Sequence, residues 1–236
     1  MIELPLLLLT WLGSGALLTS SSELTNEMVV KDMSDFDFGQ IDNLDGWFES
    51  SDTVREPGKS KASFVLQKTQ VFQRAIFFSV LNPQENGAGF AGYRVGTDLD
   101  LSAVNGLQIR CRSQGSATHY KILLRDESSI TGDGSFEAVF QPSSESFTET
   151  QVPFSEFKFY YRGQVQPDHE PLDRSKILSI GLQVFGGVYS EFKQSGASAL
   201  EIDWIKTFTL HWFPHTYVVK RSKGRDTLGS IQDTPT

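Results

Sequence analysis

Leu107, Ile109 and Cys111 alternate with Gln108, Arg110 and Arg112, and Tyr120, Ile122 and Leu124 repeat the same spacing a few residues later. Successive side chains of a strand point to opposite faces, so this period of two predicts strands with one buried and one solvated face. Ser113-Gln114-Gly115 lies between the two runs, and together they read as a β-hairpin. The same period recurs at Ala62–Leu66, Phe136–Phe140, Ile180–Val184 and Leu200–Trp204. It predicts that Leu107, Ile109, Tyr120, Ile122, Leu200, Ile202 and Trp204 point inward. Asp35–Phe38 alternates like the start of a strand, and Trp47–Ser50 enters the sheet after the turn residues of Asp42–Gly46. Arg74 to Leu81 is apolar on both phases, the pattern of a central strand buried on both faces. Gly89 to Val95 is glycine-rich, which predicts a strand that a neighbouring backbone or side chain approaches closely. The longest helical pattern, Asp173 to Leu178, is too short to form a layer. About ten short strands separated by turn signals predict an all-β chain folded as a β-sandwich of jelly-roll type.

Composition agrees with that reading. The 236 residues, which suit one sizeable domain, include 18 phenylalanines and 20 glycines, residues of strands and turns respectively. The patterned region runs from 34 to 211. Before it, residues 22–33 read as a polar linker and residues 1–21 as a signal-peptide-like or anchor segment. The apolar run Leu4–Leu18 has the length of a signal-peptide core, and Thr19-Ser20-Ser21 supplies small residues for cleavage. No basic residue precedes Lys31, which departs from an arginine-rich mitochondrial presequence. Residues 212–236 carry mixed charge and few apolar positions, so they read as a flexible tail.

A formal charge of −8 argues against nucleic acid as a partner. Lys220, Arg221, Lys223 and Arg225 form a short basic cluster that would allow at most peripheral contact with an anionic membrane. Cys111, the single cysteine, falls on the apolar phase and is expected to be buried and inert.

Catalytic signatures do not assemble. His211 and His215 stand at helical metal-pair spacing, but Pro214 lies between them and no acidic third ligand follows. Gly87-Ala88-Gly89-Phe90-Ala91-Gly92 matches a dinucleotide-binding spacing formally, yet no helix follows to receive a pyrophosphate. Asp32, Asp35, Asp37, Asp42 and Asp45, and Asp98 with Asp100, are turn acids; a structural calcium there is conceivable only by analogy with other jelly rolls. The expectation is a protein that is not an enzyme and needs no cofactor or metal. Aromatics near turns (Trp47, Phe90, Tyr93, Phe157, Phe159, Tyr160, Tyr161) either cap the core or present a binding surface.

An ordered set of segments points further. It comprises Trp47 with Ser51-Asp52, the run ending in Gly58-Lys59-Ser60, Gly89-Phe90-Ala91 with Arg94, Gly106 to Arg110, and Tyr120 to Arg125. Val152-Pro153-Phe154-Ser155-Glu156-Phe157 with Arg162-Gly163, Ile180-Gly181 and Leu200–Ile205 complete it. In this order they resemble the complex I intermediate-associated protein 30 family, over roughly residues 34–210. The chain departs from the family pattern in having Pro57 before Gly58 and Gln114-Gly115 at the turn between the paired strands.

The resemblance implies a galactose-binding-domain-like sandwich. It also implies a mitochondrial assembly factor or chaperone that binds unfolded or partly assembled protein, with complex I assembly intermediates as partners. No catalytic residues come with the family. Trp47, Asp52, Phe90, Arg94 and Arg162 are the candidate partner-binding residues, because they lie in these segments at or near turns; alternatively Asp52 and Arg94 pair internally to order two loops. The apolar N-terminal segment supports a different setting, a secreted or luminal module that binds a carbohydrate or an extracellular protein. No Asn-X-Ser/Thr sequon accompanies it.

Overall fold

Among the described residues, twelve strands and one four-residue α-helix follow one another along the chain in the computed structural model. It describes residues 32–210 except 55, 86–88, 131 and 133, and only the backbone of 35. The expectations for residues 1–21 and 212–236, for His211 and His215, for the basic cluster and for most of the 22–33 linker therefore lie outside the described residues.

The strands are β1 (Phe48–Glu49), β2 (Lys61–Lys68), β3 (Gln73–Leu81), β4 (Phe90–Leu99), β5 (Gly106–Gly115) and β6 (Tyr120–Arg125). After the helix α1 (Glu127–Ile130) come β7 (Gly134–Phe140), β8 (Thr148–Pro153), β9 (Lys158–Tyr161), β10 (Gln164–Val165), β11 (Ile177–Phe185) and β12 (Gly196–Phe208). They form two antiparallel sheets, ordered β1-β4-β11-β6-β7-β9-β10 and β2-β3-β12-β5-β8. Between the sheets lies one core, which includes Phe77, Leu107, Ile109, Tyr120, Ile122, Leu124, Ile180, Leu182, Leu200 and Ile202. These are the period-two positions of the sequence, and the fold is the all-β jelly-roll sandwich of galactose-binding-like type. Cys111 is buried in it, and burial first, then the Asp203 charge, pushes its thiol up to about 12. Among the described residues no helix is long and apolar enough to cross a membrane.

Four expectations are corrected. The runs at 107–111 and 120–124 are not a hairpin: β5 pairs with β12 and β8, whereas β6 pairs with β11 and β7 in the other sheet. The connection at 116–119 crosses the sandwich, which identical periodicity on both strands does not disclose.

β3 is second from an edge, fully buried on one face and buried on the other only at Ile76, which is 7% exposed. Ala75, Phe77 and Leu81 face the core, while Phe78 is 45% and Val80 is 55% exposed. Its second apolar phase thus reaches the surface at Phe78 and Val80.

Trp204 does not point inward. A register shift after Ile202 places Trp204 opposite Arg110, and Ile205, opposite Ile109, takes the core position. One extra residue, Asp203, reverses the phase beyond it.

That bulge also explains the fourth correction. Phe38 N–H donates to Asp203 O at 3.0 Å, and Asp37 bridges Trp204. The segment around Asp35–Phe38 is thus a 3₁₀ turn (Met33–Phe36) laid along the bulge, with Phe36 and Phe38 fully buried.

Three of the turn acids serve local geometry. Asp32, Asp37 and Asp100 each accept a backbone N–H two residues on. On the outer face of the five-stranded sheet, Glu201 accepts from Arg74 (2.9 Å) and Arg112 (2.6 Å), while Arg110 donates to Asp203 (2.9 Å). The three guanidinium groups surround the Phe147 ring.

Candidate functional site

The outward side chains of the seven-stranded sheet converge on a cleft. β6 contributes Lys121 and β7 contributes Glu137; Leu123 is the register partner of Glu137, so Lys121 lies diagonally across from it. Diagonal neighbours are within reach of long side chains, and Lys121 Nζ meets Glu137 Oε2 at 2.5 Å. Ser135 Oγ donates to the other carboxylate oxygen at 3.0 Å. The ammonium also lies 4.2 Å from the Phe185 ring centre and 4.8 Å from that of Tyr160. Lys121 is only 6% and Glu137 8% exposed. Burying charges is favourable only when they are paired and further hydrogen-bonded, as here. Burial, and then the Glu137 charge, raises the Tyr160 phenol above its ordinary value.

Two adjoining pockets open over this floor. One, of about 580 Å³, is lined by Lys121, Glu137, Tyr160, Gln183, Phe185 and Tyr189 among others. The second, of about 800 Å³, extends towards Arg94, Arg125 and Arg162, and the two share Phe90, Glu137, Tyr160, Gly163 and Tyr189.

The wall between β11 and β12 is a loop whose shape is set by side chains. Gln194, itself buried, accepts from the N–H groups of Thr118 and His119 and donates to the carbonyls of His119 and Phe185. Lys193 Nζ donates to the carbonyls of Gly187 (2.5 Å), Val188 (3.1 Å) and Ser190 (3.0 Å). The Phe192 ring stacks on His119 at 3.8 Å. So braced, the loop holds Tyr189, 63% exposed, above the cleft.

The candidate residues fare differently. Trp47 packs against Phe36, Phe38 and Phe64, so it closes one end of the core. Asp52 is buried and orders loops through the backbone: it accepts from the N–H groups of Ser60 (2.8 Å) and Phe90 (3.1 Å). Arg94 lies over the Phe48 ring, 4.7 Å from its centre, and lines the larger pocket. Arg162 is exposed at the two-residue turn joining β9 to β10, with φ of 51° followed by Gly163 at 78°, as a turn with two left-handed residues requires. Phe90 lines both pockets. The structure thus brings Phe90, Arg94 and Arg162 to one cleft and withdraws Trp47 and Asp52 into the framework. Gly92 meets the expected close approach: a Cβ there would sit 2.7 Å from Leu182 O.

Sequence reasoning missed Lys121, Glu137, Phe185 and Tyr189. A faint signal existed in the two charged residues placed off-phase within otherwise apolar strands. That they meet depends on β6 and β7 being neighbours.

This is a galactose-binding-like β-sandwich with an aromatic-walled cleft on one sheet. The model of the family Complex I intermediate-associated protein 30 matches residues 36–202, and the chain belongs to that family. Among curated proteins none matches the chain. A similar solved structure is the family 11 carbohydrate-binding module of cellulosomal cellulase Lic26A-Cel5E of Clostridium thermocellum. It is 18% identical, with 80% of this chain and 99% of that one covered and a TM-score of 0.53. The family 11 module from the same organism in complex with a β-1,3-1,4-mixed-linked tetrasaccharide is 17% identical, with coverages of 70% and 89% and a TM-score of 0.49. An exo-β-agarase is 12% identical, with coverages of 76% and 25% and a TM-score of 0.48. At these identities the likeness concerns the fold.

Proposed function

We propose that the protein acts by binding rather than by turnover, as an assembly factor or chaperone for mitochondrial respiratory complex I. The family match over residues 36–202 carries this reading. In it, the client is an assembly intermediate of the complex, and the protein works in the mitochondrion. The client-facing residues are Phe90, Arg94 and Arg162, which line one continuous pocket from three different segments. Arginine and aromatic side chains on a concave surface are the residue types that dominate protein recognition.

The test begins with cells lacking the protein, which should lose assembled complex I. Re-expression of the native chain should restore it. Arg162→Asn should restore it only in part while leaving the thermal midpoint unchanged, because Asn tolerates the left-handed turn position. Normal complex I in cells lacking the protein would overturn the reading, as would a tagged protein that fractionates entirely outside mitochondria.

A further inference from the structure

We propose that the smaller pocket, floored by Lys121 and Glu137, is a binding site for a neutral saccharide of one to a few rings. This inference stands on the pocket's own chemistry and does not depend on the assembly reading.

Its volume, about 580 Å³, falls within the range of about 300–1,000 Å³ typical of small-ligand sites. The charges exclude simple ions as the ligand. Lys121 is neutralised by Glu137, and Lys193 is held by three carbonyls, so neither offers an uncommitted charge. A purely apolar ligand is equally unsuited, because it would strip water from the polar floor without replacing its hydrogen bonds.

What remains is a ligand with apolar faces and an edge of groups that both donate and accept. A sugar ring has that composition: its C–H faces pack on aromatic rings and its hydroxyls serve as donor and acceptor. The pocket offers rings at Tyr160, Phe185 and Tyr189 and polar groups at Lys121, Glu137 and Gln183. The ammonium has donor capacity beyond its bond to Glu137, and the carboxylate has lone pairs beyond those facing Lys121 and Ser135. The bracing of the 186–194 loop supports the same conclusion. Side chains hold an otherwise irregular segment so that Tyr189 stands exposed over the floor, and such preorganisation lowers the entropy lost on binding.

The test uses the full-length protein on an array of neutral glycans comprising α- and β-linked glucans, galactans, mannans and xylans. Isothermal titration with the free tri- or tetrasaccharide of each positive class follows. At least one class should bind with Kd below about 1 mM. Tyr189→Ala, an exposed position, should weaken that binding at least about tenfold with no change in thermal midpoint. Lys121→Met combined with Glu137→Leu should abolish it; both are changed together because removing one alone strands a buried charge. Failure of every glycan class to bind overturns the proposal. So does saccharide binding unaffected by both variants, which would place the saccharide elsewhere. If complex I assembly fails in cells lacking the protein while no glycan binds, the assembly reading stands and this one falls. The converse result separates them the other way.

Discussion

Replacing Gln194 by leucine should destabilise the domain and loosen the wall of the cleft. The side chain is buried and makes four hydrogen bonds to backbone groups at Thr118, His119 and Phe185, between 2.7 and 3.2 Å. Leucine has similar bulk, so the change isolates the polar term from cavity formation. A hydrogen bond contributes a net of about 0.5–1.5 kcal/mol, and a buried partner left unsatisfied costs about 1–3 kcal/mol. The bond to Phe185 O is buried, whereas the others are partly buried, where water can replace the amide. The expected loss is therefore about 2–4 kcal/mol, a fall in thermal midpoint of roughly 5–15 °C for a domain of this size. Gln194→Glu sharpens the test. Its carboxylate still accepts from Thr118 and His119 but faces two carbonyl oxygens it cannot serve at neutral pH. It should be at least as damaging as leucine at pH 7 and should recover as the carboxyl protonates and donates again. Differential scanning calorimetry at pH 7 and pH 5 measures both. A midpoint shift below about 2 °C for Gln194→Leu would show that the loop is held by its packing and that the amide clamp contributes nothing.

Ile122→Ala and Ile205→Ala should each cost about 2–5 kcal/mol in urea denaturation, whereas Trp204→Ala should cost less than either, because the bulge at Asp203 turns Trp204 away from the core. Equal losses at 204 and 205 would refute that register. Asp52→Ala should cost about 1–3 kcal/mol by stranding the Ser60 and Phe90 N–H groups; an unchanged midpoint would contradict it. For Glu201, burial tends to raise the carboxyl pKa, but hydrogen bonds from Arg112, Arg74 and Gln114 outweigh it and hold the group below its ordinary 4.5. A depressed folded pKa gives stability that is fully present above the unfolded value and lost as pH falls through the folded one. Between pH 7 and pH 3 the native chain should therefore lose more stability than Glu201→Gln does, and parallel losses would exclude this carboxylate as a source of acid sensitivity.

The sequence by itself determined the class of fold and most of the core. Period-two runs at 107–111, 120–124, 180–184 and 200–202 are buried as their pattern requires, because alternation is a local property of a strand and one face must leave water. The ordered family segments were legible for the same reason: they are stretches of chain, each read without knowing its neighbours. Pairing was not legible. Runs with identical periodicity went to different sheets, a single extra residue at Asp203 reversed the phase of Trp204, and the two apolar phases of β3 resolved into one core face and one that is exposed at Phe78 and Val80. The candidate site divided along the same line. Phe90, Arg94 and Arg162 were visible as turn-proximal residues in family-like segments. Lys121 and Glu137, 16 residues apart in the chain, became a floor only when β6 and β7 lay side by side. The loop carrying Tyr189 became a wall only when Gln194 and Lys193 found carbonyls to hold. Hydrophobic alternation acts through the residue's own strand and is written in order, whereas ion pairs and loop braces act across space, so only the assembled sandwich decided them.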